Sequence, residues 1–148
     1  MASPIDVQLI LCDAAQAESG TGKVHMLGAG WSSTFSPFTH AVVVLAKIPW
    51  DRSNQRIPLT LTLREEDGAE VVVDTPDGPR DIRAKGDVEV GRPAGVKPGI
   101  PLDASFALNV SALPLKPARY YWELQLAEEI RQAGFTVQAP LPAADIRF

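Results

Sequence analysis

The residues of this chain that carry reactive groups are few and far apart. Cys12, His25 and His40 are the one thiol and the two imidazoles of 148 residues. A thiolate nucleophile needs an adjacent imidazole and electropositive surroundings. Cys12 instead sits beside Asp13, whose charge would raise the thiol pKa. Metal sites announce themselves by close pairs such as C-x-x-C or H-x-x-x-H, and these three residues have no such spacing. They read as a buried structural cysteine and two partly exposed histidines. The acidic clusters Glu65-Glu66-Asp67 and Glu128-Glu129 lack the alternating oxygen ligands and fixed glycine of a calcium loop, and read as solvated turns. No catalytic residue, cofactor or metal site is therefore expected.

The stretch "AESGTGKVHMLGAGW", Ala17 to Trp31, sets a Gly-Lys pair behind a glycine-rich run. In a phosphate-binding loop, G-x-x-x-x-G-K-[ST], backbone amides surround the phosphates, the lysine reaches them and the hydroxyl binds magnesium. Here Ala17 stands at the first glycine and Val24 at the hydroxyl. The lysine should also open a helix whose N-terminus faces the anion, whereas "KVHML" alternates and stops at Gly28. Gly20 and Gly22 are thus expected to make a hairpin tip. "GAGW" lacks the third glycine of a dinucleotide fingerprint, so Gly28 and Gly30 are read as a bend or bulge, with Trp31 at the end of the core.

Composition narrows the partners. The formal net charge is −4, and the 14 Lys and Arg form no run that would track a phosphate backbone, which argues against nucleic acid. The longest apolar run, Ala41 to Ala46, is far short of the roughly 20 residues that span a bilayer, and no membrane is expected. "MASPIDVQLILCD" has no basic n-region and no cysteine pair is available, so the expected location is cytoplasmic. A chain of 148 residues fits one domain, 1–148, with a short flexible tail from about residue 140.

The elements alternate with period two. In "PLTLTLREEDGAEVVVD" Leu59, Leu61 and Leu63 share a face, Asp67-Gly68 makes a tight turn, and Val71 and Val73 continue a return strand. Other strands are expected at Ile5 to Asp13, Gly22 to Gly28, Thr39 to Ile48, Ile82 to Val90 and Pro101 to Ser111. Two more come at Ala118 to Ala127 and in "GFTVQA". A helix competes over Ala118 to Gly134, where Trp122, Leu126 and Ile130 fall at i, i+4. The alternation of Tyr120, Trp122, Leu124 and Leu126 against Tyr121, Glu123 and Gln125 favours strand, with a helical turn surviving around Glu128 to Ala133. About nine short strands and little or no helix predict an all-β, antiparallel, immunoglobulin-like β-sandwich. "LPLKPARYYWELQL" adds the pattern of a tyrosine corner, with Tyr120 as its tyrosine.

Taken together, "LCDAAQ", Gly22-Lys23, "LGAGW", "IPW" with "DRSN", "EEDG", "VGRPAGVKPGIPLD" and "LPLKPARYYWEL" resemble an uncharacterised family of small actinobacterial proteins. The likeness runs from about Val7 to Leu126. It implies a single β-rich bacterial domain and supplies no catalytic residue. Where related chains carry a short Asp-Gly turn, this one has "AEEIRQAG".

Two loops have the composition of docking surfaces. "PWDRSNQRIP", Pro49 to Pro58, offers Trp50, Asp51 and Arg52 between prolines, and "GRPAGVKPGIP", Gly91 to Pro101, offers Arg92 on a long Pro/Gly connection. In "HAVVVLAK" both faces of one strand are apolar. Something besides the opposing sheet must cover the face of Ala41, Val43 and Leu45, either a loop of the same chain or a second copy. A non-catalytic protein-interaction or structural module is expected, binding another protein or itself as a homodimer, with Val43 and Leu45 at the self-contact. The competing expectation is a small-ligand or carbohydrate-binding sandwich, hydrolytic or not, with Trp31, Trp50 and Tyr121 as a stacking platform beside Glu123 or Asp51.

Overall fold

The computed structural model describes residues 3–139; the tail expected from about residue 140 lies outside them. Twelve strands run in the order β1 (Asp6–Cys12), β2 (Ala14–Ala17), β3 (Val24–Leu27), β4 (Ser33–Phe35), β5 (Phe38–Ile48) and β6 (Ile57–Glu65). The second half adds β7 (Val72–Thr75), β8 (Gly78–Asp81), β9 (Arg83–Val88), β10 (Leu102–Leu113), β11 (Ala118–Leu126) and β12 (Glu129–Gln138). One 3-10 turn, Trp50–Arg52, is the helical element among the described residues.

Two sheets make the sandwich, one in the order β1-β5-β10 and the other β4-β12-β11-β6-β9. The pairs are antiparallel except β4 with β12, which is parallel. The chain crosses between sheets on the way from β1 to β4, then after β4, after β5, after β9 and after β10, the Greek-key route of immunoglobulin-like domains. Alternation builds the core directly. Phe38, His40, Val42, Val44, Ala46 and Ile48 of β5 face Tyr120, Trp122, Leu124 and Leu126 of β11 across the interior, with Phe135 and Val137 from β12. At the rim of this core the Tyr120 hydroxyl donates to the Lys116 carbonyl at 2.7 Å, closing the expected tyrosine corner.

Four expectations need correction. The strand reading of Ala118 to Ala127 holds, but the helical turn expected around Glu128 to Ala133 does not form: β11 and β12 are a hairpin turning at Ala127, φ +51°, and Glu128, and β12 already starts at Glu129. Alternation won because Trp122 and Leu124 have a packed sheet to fill. Asp67-Gly68 does turn the chain, but the return pairs with β6 only around Glu70 and Val71. Residues 72–81 then leave as the separate hairpin β7–β8, and β9 becomes the long partner of β6. The segment "AAQA", lying between the strands expected at Ile5 to Asp13 and Gly22 to Gly28, is not a connection but strand β2, and it is the partner of β3. His40, expected partly exposed, is wholly buried.

The unusual strand β5 is covered from within. The β2–β3 hairpin folds over the outer face of the three-stranded sheet, where Cys12, Ala41 and Val43 form a second small core with Ile10, Ala15, Val24, Met26, Leu45 and Ala107 around it. Asn109 ties the hairpin down, donating to the Ala15 carbonyl at 3.0 Å and accepting from the Ala15 amide at 3.3 Å. Gly20 at φ +90° and Gly22 at φ +72° shape the hairpin tip. Gly28 closes its base at φ +68°, where a side chain would collide with the Asp13 carboxylate.

Candidate protein-interaction site

Two of the expected docking loops meet at one end of the sandwich. Pro49 cannot continue the β5 ladder, so the chain leaves the sheet there and tightens into the Trp50–Arg52 turn. Ser53 closes that turn, its amide and its hydroxyl both donating to the Trp50 carbonyl, at 3.2 and 2.8 Å. From the other loop, Arg92 lays its guanidinium over the Trp50 ring, 4.2 Å from the centroid. Arg92 also donates through Nε to the Ser53 hydroxyl at 2.6 Å and through Nη2 to the Trp50 carbonyl at 3.0 Å. Stacking plus two hydrogen bonds fixes the indole from one side, leaving it half-buried rather than free to collapse onto the core.

Arg52 turns the other way. Its side chain is 11 % exposed and forks onto the Glu128 carboxylate, with Nη2 to Oε2 at 3.2 Å, while Nη1 donates to the Ser3 carbonyl at 3.3 Å. The pairing holds the Glu128 carboxyl below the usual carboxylate range and pushes the Arg52 guanidinium up. Arg52 therefore ties the N-terminal segment and the β11–β12 turn to this loop and offers no free fork. Asp51 accepts from the Ser3 hydroxyl at 3.1 Å.

Beside this cluster lies an open groove of about 570 Å³ lined by Pro4, Asp6, Lys47, Pro49, Trp50, Asp51 and Pro101 among others. It continues along the outer face of the three-stranded sheet into a smaller depression of about 280 Å³ that shares Asp6 and Lys47 and reaches Gln8, Leu45 and Ser105. Lys47 and Asp103 pair across the floor at 2.7 Å.

Trp50, Asp51 and Arg92 thus come together, with Arg52 behind them. Leu45 is part-buried at the far end of the groove. Val43 is sealed beneath the β2–β3 hairpin and cannot be an exposed self-contact, because the chain supplies its own cover. The residues missed in the sequence are Ser53, Glu128 and the groove wall of Pro4 and Pro101; Glu128 was legible only as a solvated acid, since its partner is 76 residues away.

The other candidates do not assemble. Trp31 packs edge-on against Phe38, His40 and Phe135, at the end of β5 opposite Trp50, and Tyr121 lies on the outer face of the five-stranded sheet. The proposed stacking platform is therefore split over three places. Cys12 is buried, and burial first, then Asp13, raises its thiol pKa, the opposite of an activated nucleophile. His25 pairs with Glu18 at 2.7 Å on the exposed face of the hairpin, opposite the Val24 and Met26 side that packs on the Cys12 core. Among the described residues no three His, Cys, Asp or Glu side chains gather as a metal site. No helix among them is long and apolar enough to cross a membrane.

Fold and tyrosine corner define an immunoglobulin-like β-sandwich. Within that class, a family model described as a family of unknown function (DUF6941) matches residues 8–138, and the chain belongs to that family. No match was found among curated proteins. Among solved structures the chain is similar to a beta-glucosidase from Listeria innocua in complex with gluconolactone, at 8 % identity and a TM-score of 0.41. That likeness covers 91 % of this chain and 16 % of the glucosidase.

Proposed function

We propose that this chain is a non-catalytic protein-interaction module of a bacterial cytoplasmic system, and that it holds its partner at the Trp50–Arg92 end of the sandwich. The observation that carries this reading is the stacking of Arg92 on Trp50 at the lip of an open groove. Trp and Arg are the residue types on which interface energy concentrates, and an indole pre-set by neighbours loses little freedom when a partner covers it. Asp6, Asp51 and Lys47 around it supply the polar rim that fixes orientation.

The test compares proteins captured from the host by the native chain, Trp50→Ala and Arg92→Ala, after circular dichroism has shown that all three are folded. A partner held by the native chain and lost by both variants is expected. Equal capture by all three sinks the assignment. Arg52→Ala separates structure from recognition: losing its fork onto Glu128 and its bond to the Ser3 carbonyl is expected to lower unfolding stability slightly while leaving partner capture in place.

A further inference from the structure

Of the four outer edges of the two main sheets, three are protected in recognisable ways. Strand β4 has three residues, too few to template a partner. Strand β9 carries Arg83, Lys85 and Asp87, the charges that discourage edge pairing. Strand β1 starts behind Pro4, carries Asp6, and lies against β12 of the opposite sheet. The fourth edge, β10, is not short, and from Ala104 to Leu113 it holds no charge and no proline. The β2–β3 hairpin packs on its outer face through Asn109, and its register against β5 shifts only between Val110 and Leu113, but its outer row of backbone groups is left unpaired. Among the described residues, no hydrogen bond from outside the β5 ladder reaches the backbone of residues 104–112.

The flank beside that edge is apolar. Phe106, Leu108 and Val110 of β10, Ala84 and Val88 of β9 and Ile82 just before it are only part-buried, although they pack on the main core. Between them a depression of about 290 Å³ has Ile82, Ala84, Leu108 and Val110 along it, Asp81 and Arg83 at its rim, and reaches down to Trp122. The sandwich is open along this side.

We propose that β10 pairs antiparallel with β10 of a second copy of this chain, joining the two three-stranded sheets into one of six strands. An uncharged edge meets no like charge in its own copy, and a twofold axis satisfies both rows of backbone groups at once. The core-side residues of each β10 then lie over the open flank of the other, so the step that pairs backbone also buries Leu108, Val110 and Ala84. A contact limited to one strand and its flank is small, so dissociation on dilution is expected. This proposal is independent of the Trp50 end and has a different readout.

Light scattering over a wide dilution series tests it, together with amide hydrogen exchange of residues 102–113. The native chain is expected to approach twice its monomer mass as concentration rises, with exchange in 102–113 slowing in step. The double variant Ser111→Lys, Ala112→Lys charges the exposed end of the edge without touching the core or the Trp50 groove, and is expected to weaken the dimer about tenfold at unchanged melting temperature. A native chain that stays monomeric overturns the proposal. So does a dimer indifferent to the two lysines with no protection of 102–113. Protection of 102–113 in a monomeric chain bound to a captured partner would give the edge to a foreign strand, and overturns self-pairing as well.

Discussion

His40 shows how one residue can tie the two sheets and make the protein sensitive to acid. The Trp122 indole donates to its Nε2 at 2.9 Å, so the neutral ring carries its hydrogen on Nδ1, which is buried without a partner among the described residues. Burial among Trp31, Phe38, Trp122 and Phe135 lowers its pKa from 6.5 to about 4. Between those values the unfolded chain binds the extra proton and the folded one does not. The contribution is thus fully present above pH 6.5, is lost as pH falls to about 4, and is flat below. Its size is on the order of 3 kcal/mol. Urea unfolding from pH 7 to pH 4 is expected to show that loss, with a flatter profile in His40→Gln; parallel profiles would remove His40 from the account.

At the scale of elements, the β2–β3 hairpin decides how the strand β5 is read. A strand apolar on both faces demands two covers, and here the second is a hairpin of the same chain laid over Ala41 and Val43. Val43→Asp would place an unpaired carboxylate beneath it. The expected result is a loss of about 3 kcal/mol or more in unfolding free energy, with the hairpin released to proteases before the sandwich unfolds. A variant as stable as the native chain would mean that the hairpin does not seal this face. Leu45, at the edge of the cover, is expected to tolerate Leu45→Gln at about 1 kcal/mol or less.

For the molecule as a whole, the described residues present an open groove at the Trp50 end and an unpaired backbone edge at β10, and no three His, Cys, Asp or Glu side chains among them gather as a metal site. A ligand that binds only the folded state raises its melting temperature. Common nucleotides, divalent cations and simple sugars are expected to leave it unchanged in a thermal scan. A clear shift with a nucleotide would restore a phosphate role to the Gly20–Lys23 tip; a shift with a sugar would favour ligand binding at Trp50.

The sequence alone determined what is local and periodic. Alternation in β5, β6, β10 and β11 assigned each side chain to a face, because a pleated strand has a period of two whatever it packs against. The tyrosine corner was legible because Tyr120 and Lys116 are four residues apart. The failed phosphate motif, the bend at Gly28 and the turn at Asp67-Gly68 rested likewise on short spacing. Tertiary structure decided everything that joins distant segments. That β9 rather than Val71 and Val73 pairs along β6, that "AAQA" becomes a strand, and that His40 is buried against Trp122, 82 residues away, depend on which surfaces meet. The functional site divides in the same way. Trp50 and Arg92 were nameable as anchor types, but their stacking, and the turning of Arg52 inward to Glu128, follow from two crossovers converging at one end of the sandwich. Residue type is written in the chain; adjacency across 42 or 76 residues is produced by packing.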